Sequence, residues 1–311
     1  MLFIILIEVL VPTVLLGALA LSRAPGFWTY LLGVVCYGLA LLFMWLVLPW
    51  HLTSIYLRML LPFAFAMAAL SGWARIGSHP SGPPPRAQAL IGGLFLVALI
   101  GAFGFADWKA LSGYRSPQPP VRLAMPLRDG LYIVGHGGAS RLVNAHYRIR
   151  PQDFAVDLMS MNPWGGRRNS WSGTAGPEAY DIFNHRVYAP CDGEVRAAVD
   201  GHPDLFPGQT DRHNLAGNHL VLGCEDYKVL LAHLKNGSLL VAAGDIVSVG
   251  DELARVGNSG NTSEPHLHIH VARGGQPDSG LDGIGVPFLL DSTFAVRGDV
   301  IKPSFGAFAR D

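Results

Sequence analysis

Residues 264–271 read EPHLHIHV, with a histidine at every second position of an otherwise apolar run. A period of two is the signature of a β-strand, whose successive side chains point to opposite faces. His266, His268 and His270 therefore share one face, and Leu267 and Ile269 share the other. One side packs into a core; the other offers imidazole nitrogens. Single histidines are commonly satisfied core or surface groups, whereas three in register on one strand make a candidate site for metal binding and proton transfer. Metal binding needs further ligands, which must come from elsewhere in the chain.

The surrounding sequence is short-period and β-rich. VYAPCDGEVRAAVDG (187–201), NHLVLGC (218–224), YKVLLAHL (227–234), SLLVAAGDIVSVGDELARVG (238–257) and HLHIHVARGG (266–275) are brief apolar stretches punctuated by Gly, Asp, Asn and Pro. With no long amphipathic helix between them, this is the pattern of an antiparallel sheet domain. Two segments resist a strand assignment, 159–185 and 197–217. Loops of that length in a compact domain usually build functional walls. Trp164, Arg167, Arg168 and Trp171 either line a groove or anchor a solvated insertion.

The N-terminal third is different. Of 311 residues, 50% are hydrophobic and only 15% charged, with a formal net charge of zero, and the apolar excess is concentrated in four runs: 1–22, 27–50, 56–73 and 88–106. Each approaches the roughly 20 residues that cross a bilayer as a helix. The expectation is a transmembrane region of about four helices over 1–111, a proline-rich linker over 112–123 and a soluble, mainly-β domain over 124–311. The first run lacks a basic leader and a small-residue cleavage site, so it reads as retained. In the third, Arg58 snorkels to the interface and Pro62 fits a first turn. Arg23, Arg75 and Arg86 fall on the first and third connections, which the positive-inside rule assigns to the cytoplasm, leaving both chain ends and the soluble domain outside it. Such a compartment permits a Cys191–Cys224 disulfide; the other reading is two small buried side chains. Only Glu8 and Arg58 place charge within the runs, so the spans read as an anchor rather than a transport or sensing device. Basic patches for nucleic acid and phosphate-cradling glycine motifs are absent.

The run GDIVSVGDELARVGNSGNTSEPHLHIHV (244–271), together with AHL (232–234) and VYAPCDGEV (187–195), resembles the LytM/lysostaphin-type zinc peptidases of the M23 family over roughly 130–273. The resemblance implies a central antiparallel sheet holding one Zn2+ through an early His and Asp and the second histidine of an HxH motif. By position, His268 matches that ligand, His266 the catalytic histidine of the motif and His233 the further catalytic histidine. The early motif departs from the family form. FAVDL supplies Asp157, but Asp153 stands where a histidine is usual four residues earlier; His146, in VNAHYRIRPQDFAVD, is the expected ligand, with His136 and Asp153 as alternatives. Closure entropy grows slowly with loop length, so the displacement is permissible. His270 falls where the family more often carries an acidic or amide side chain, and supports or borders the site.

Two histidines and one carboxylate leave a fourth position for water, the arrangement of a catalytic rather than a structural zinc site, and zinc-activated water attacks carbonyls. His266 reads as general base, and His233 as oxyanion stabiliser or proton donor to the leaving amine, roles the sequence does not separate. Asn218 and Asn261 either orient substrate or hold turns, the latter favoured for Asn261. The implied protein is a multi-pass enzyme of the bacterial cytoplasmic (inner) membrane, its extracytoplasmic domain a zinc metalloendopeptidase cutting peptidoglycan stem peptides or cross-bridges. The alternative is a non-catalytic LytM-like module that binds or regulates wall-remodelling partners.

Overall fold

The computed structural model describes residues 2–78, 85–168 and 176–303. It divides into two compact units, Met1–Ser112 and Gly113–Asp311. Trp171 lies outside the described residues.

The first unit is helical. An N-terminal run comprises α1 (Leu2–Ile5), a π-helical segment Leu6–Leu10 and α2 (Val11–Ala20); α3 (Phe27–Val47), α4 (Ile55–Trp73) and α5 (Arg86–Leu111) follow. Among the described residues, three helices are long and apolar enough to cross a membrane, those of α3, α4 and α5. Of the four crossings expected from the sequence, these account for three; the first apolar run holds a shorter apolar helix, Leu6–Ala20, whose first five residues are π-helical. Pro62 sits inside α4 rather than in its first turn. The Arg58 guanidinium lies 3.9 Å over the Trp45 ring and donates through Nε to the Trp45 carbonyl at 3.0 Å, and the Thr53 hydroxyl donates to Glu8. The two charged side chains within the apolar runs are thus engaged inside the unit rather than facing lipid, where exposure would be costly.

The second unit is mainly antiparallel β. Its strands are β1 (Val121–Leu123), β2 (Tyr132–His136), β3 (Val156–Ser160), β4 (Arg186–Tyr188), β5 (Gly193–Val199), β6 (Asn218–Cys224), β7 (Tyr227–Leu234), β8 (Ile246–Val247), β9 (Glu252–Arg255), β10 (Leu267–Arg273), β11 (Ile284–Gly285), β12 (Phe288–Leu290) and β13 (Val300–Ile301). The main sheet runs β13-β2-β3-β10-β7-β6-β5-β8, with β11 paired to β10 and every pairing antiparallel. The segment 112–123 read as a linker contributes β1, which pairs in parallel with β12.

The histidine-bearing strand is β10, in the middle of this sheet between β3 and β7. Leu267, Ile269 and Val271 are almost wholly buried in the principal core with Leu158, Leu220, Leu222, Val229 and Leu231. Burying each such side chain is worth about 1.5–3 kcal/mol, and a one-residue slip would turn that set outward. The apolar alternation of β10 therefore fixes the face on which its histidines stand.

Cys191, ahead of β5, and Cys224, at the end of β6, form a disulfide across 33 residues. Closing a loop of that length removes denatured-state entropy worth about 4 kcal/mol in the chain-entropy model, with measured losses commonly 2–4. Replacing both cysteines by serine is expected to lower the melting temperature of the β unit by about 5–15 °C. Calorimetry of the full chain checks this, and an unchanged melt would show that the bond contributes nothing.

Candidate active site

The site is assembled from three strands and one loop. In the β3–β10 register Asp157 pairs directly with His268, so carboxylate and imidazole are cross-strand neighbours on one face. His268 Nδ1 is 2.8 Å from Asp157 Oδ1. On its other side His268 pairs with Ala232 of β7, and the next residue is His233.

His233 is aimed by a bulge. The β6–β7 register shifts between Asn218 and Leu220, and His233 adopts a left-handed backbone with φ of 61°. A non-glycine residue there costs on the order of 1–3 kcal/mol and persists where its surroundings impose it. The surroundings here are specific: His233 N–H donates to the Ala216 carbonyl, and its Nδ1 meets the Ser259 carbonyl at 2.9 Å. Ser259 belongs to the GNSGN turn, which presses on Gly217 so closely that a Cβ there would lie 2.4 Å from the Ser259 backbone. The turn motif is therefore a scaffold for the histidine.

His146 reaches the site from the loop between β2 and β3. Asn144, fully buried, donates through Nδ2 to the carbonyls of Gly138 and Ala155 and accepts from the His146 N–H through Oδ1. Successive turns, Ile149 N–H to His146, Gln152 N–H to Ile149 and Ala155 N–H to Gln152, then return the chain to β3. This packed path carries the eleven-residue separation and leaves His146 Nε2 3.0 Å from Asp157 Oδ2. Asp153 lies elsewhere, against Gly285 of β11. His136, opposite Asp157 after a β2–β3 irregularity, uses Nδ1 to accept from Arg297 Nη2 at 2.6 Å and from the Ala145 N–H.

Among the described residues two groups could hold a metal ion, His146 with Asp157 and His268, and His233 with His266 and His268; within each the donor atoms lie within 4.8 Å of one another. The donor chemistry of the first fits zinc, whose ligands stand about 2.0–2.2 Å from the ion and hence about 3.3 Å apart in a tetrahedron. Two contacts at 3.0 and 2.8 Å need only slight expansion to match.

The remaining histidines have defined tautomers, inferred from their partners. Carbonyl oxygens only accept, so the His233 Nδ1–H donates to Ser259 and the His266 Nδ1–H donates to Glu264, at 2.9 and 2.8 Å. In the neutral rings both Nε2 atoms then carry lone pairs, and that of His266 is 3.6 Å from Asp157 Oδ1. Burial, reinforced by His266 and His268, holds His233 well below the usual imidazole range, so it is neutral. Burial alone would raise the Asp157 carboxyl, but the facing His146 and His266, with the ring nitrogens of His146 and His268 close to its two oxygens, bring it well below the ordinary value. For His146 burial pulls downward, and the Asp157 charge outweighs it to give a raised value.

Two features of the site carry little or no signal in the sequence. Arg167 and Glu264 form a partly buried ion pair at 2.6 Å that ties the 162–168 loop to the turn before β10. Arg297, remote in sequence, donates through Nε to the Val143 carbonyl beside His136. Of the groove residues read from the loop, Arg168 lies over Tyr180 and Trp164 is exposed. Asn218 is spent structurally: Nδ2 donates to His202 and Leu234 carbonyls and Oδ1 accepts from His202 N–H.

Residues 179–279 match the family model described as Peptidase family M23. The chain carries an M23-family domain. The matched M23 segment contains His233, His266 and His268 and begins beyond His146 and Asp157, where the sequence departs from the familiar form. Similar solved structures include a zinc-containing peptidase from Vibrio cholerae (22% identity over 50% of this chain and 38% of that one, TM-score 0.30). Lysostaphin matches at 18% identity over 47% of this chain and 45% of that one, TM-score 0.28. The M23 metalloprotease pseudoalterin, from the deep sea, matches at 18% identity over 51% and 74%, TM-score 0.30. The chain thus spans less than half the length of the first two.

Acid sensitivity of the M23 unit follows from its buried neutral histidines. Burial, opposed by Asp157 and aided by Arg297, lowers His136 to about 4, and burial with His268 nearby lowers His270 to about 3. Unfolded imidazoles take up protons near pH 6.5. Stability present above that value is therefore lost as pH falls from about 6.5 through about 4 and about 3, because the unfolded state binds protons first. Denaturant midpoints of chelator-treated protein should decline steadily over that window; a flat profile would contradict it.

Proposed function

We propose that the chain is a membrane-anchored zinc endopeptidase that hydrolyses peptide bonds of peptidoglycan cross-links. The observation that carries this reading is the convergence of His146, Asp157 and His268 on one point, with the bare Nε2 atoms of His266 and His233 beside it. Ring centroids of His233 and His266 are 4.8 Å apart.

A zinc ion held by His146, Asp157 and His268 supplies a polarising Lewis acid and a water nucleophile near neutral pH. The protein's own part is proton traffic. His266, its Nδ1–H committed to the Glu264 carbonyl, presents Nε2 as the acceptor for the water proton. His233, neutral and likewise held through Nδ1, also starts as an acceptor. It becomes a donor to the oxyanion or leaving amine only after gaining a proton, which favours proton delivery over fixed oxyanion binding. A non-catalytic LytM-like module would tolerate dispersed ligands, whereas here all five side chains come together.

The anchor reading rests on α3, α4 and α5, and on exposed apolar side chains such as Phe63 and Phe95, 77% and 63% accessible, which suit lipid rather than water. The N-terminal run Leu2–Ala20 contributes a fourth crossing in this account, because nineteen helical residues at about 1.5 Å each reach nearly the hydrocarbon thickness. Arg75 donates to the carbonyls of Ala20 and Ser71, gathering the ends of α2 and α4 about one cation. That supports a cytoplasmic position for these ends and an extracytoplasmic M23 domain.

Incubating the full chain with purified peptidoglycan tests the proposal. The expected products carry new amino termini within stem peptides or bridges, disappear with chelator and return with zinc. Intact peptidoglycan under zinc-replete conditions would overturn it.

A further inference from the structure

The third histidine of the strand is buried, and its two nitrogens are both engaged. His270 Nε2 lies 2.8 Å from the Gly280 carbonyl and Nδ1 lies 2.9 Å from His268 Nε2. The carbonyl can only accept, so the His270 proton is on Nε2. In the neutral ring Nδ1 is then bare, and His268 must donate to it from Nε2. That leaves His268 Nδ1 bare, 2.8 Å from a carboxylate oxygen of Asp157. In this tautomer the bare Nδ1 and the Asp157 oxygen present lone pairs to the same space, as two ligands of one cation do.

We infer that His270 is a positioning residue that, through a relay from Gly280 to His268, fixes the tautomer and ring orientation in which His268 offers Nδ1 to a metal ion. The inference rests on the zinc-site reading above and extends it to a residue outside the ligand set. The relay is built rigidly at both ends. His270 pairs with Leu230 of β7 and is 1% exposed. Gly280 approaches so closely that a Cβ there would lie 2.4 Å from Leu230 Cδ1 and 3.2 Å from Val221 Cγ2, which fixes the carbonyl. Partners that orient a ligating imidazole typically contribute about 10–100-fold to metal affinity. An acidic or amide side chain at position 270 could also accept from His268 Nε2–H, but of the two only the amide also carries a donor for the Gly280 carbonyl.

The test uses the full chain in detergent. Zinc affinity, read by competition with a chelating indicator, should fall about 10–100-fold in His270→Leu. His270→Asn, whose amide oxygen can take the place of Nδ1, should restore most of that loss. Nitrogen-15 spectra of histidine-labelled protein, with and without metal, should show His270 protonated on Nε2 and bare at Nδ1, and His268 protonated on Nε2. Wild-type affinity in His270→Leu, or a His270 proton on Nδ1, would overturn the inference. If His270→Leu fails to fold, the wild-type spectra decide. If the wild type takes up no zinc, the zinc reading fails on its own, and the spectra still report whether the relay exists.

Discussion

Replacing Asp157 by asparagine is expected to empty the site of zinc and to abolish peptidoglycan hydrolysis. Asp157 is almost fully buried, and its two oxygens serve His146 at 3.0 Å and His268 at 2.8 Å. It is the only carboxylate in the metal-binding groups found among the described residues. Asparagine keeps the shape but removes the charge that faces the imidazoles. Losing a direct ligand should exceed the effect of losing an orienting partner, so affinity should drop more than about 100-fold. Metal analysis after dialysis against a weak chelator gives the number, and full zinc retention would remove Asp157 from the ligand set.

The second large effect separates chemistry from metal binding. His266→Ala should keep its zinc while turnover falls about 10²–10⁴-fold, the range for a lost general base. The distinction matters because His266 belongs to the second group, with His233 and His268, that could itself hold an ion. If His266→Ala loses the metal along with activity, the ion sits in that group, and His146 is not a ligand.

The site was unevenly legible in the sequence, for physical reasons. Period-two alternation in 266–271 fixed a strand and its histidine face, because Leu267, Ile269 and Val271 must enter the core. Pairing of Asp157 with His268 is a register between strands 111 residues apart, which no local pattern encodes. The same holds for the bulge that turns His233 inward, since a bulge is a property of two strands together. His146 is what the resemblance implies as the histidine nearest upstream of Asp157, with His136 and Asp153 as alternatives; what brings it beside Asp157 is Asn144, whose amide organises the loop and which carries no motif. Arg297 meets His136 across 161 residues and was invisible. In the N-terminal unit, hydropathy located the apolar runs but not the π-helical segment 6–10 or the internal place of Pro62. Backbone hydrogen-bond register leaves no trace in mean hydropathy.

The central claim is that His146, Asp157 and His268 together hold one zinc ion. Its most direct test is the zinc content of the purified full chain, measured by atomic emission beside His146→Ala and Asp153→Ala. The account predicts one zinc per chain in the wild type and in Asp153→Ala, and loss in His146→Ala. A wild type that takes up no zinc under metal-replete conditions, or a His146→Ala protein that holds it as tightly as the wild type, would contradict it.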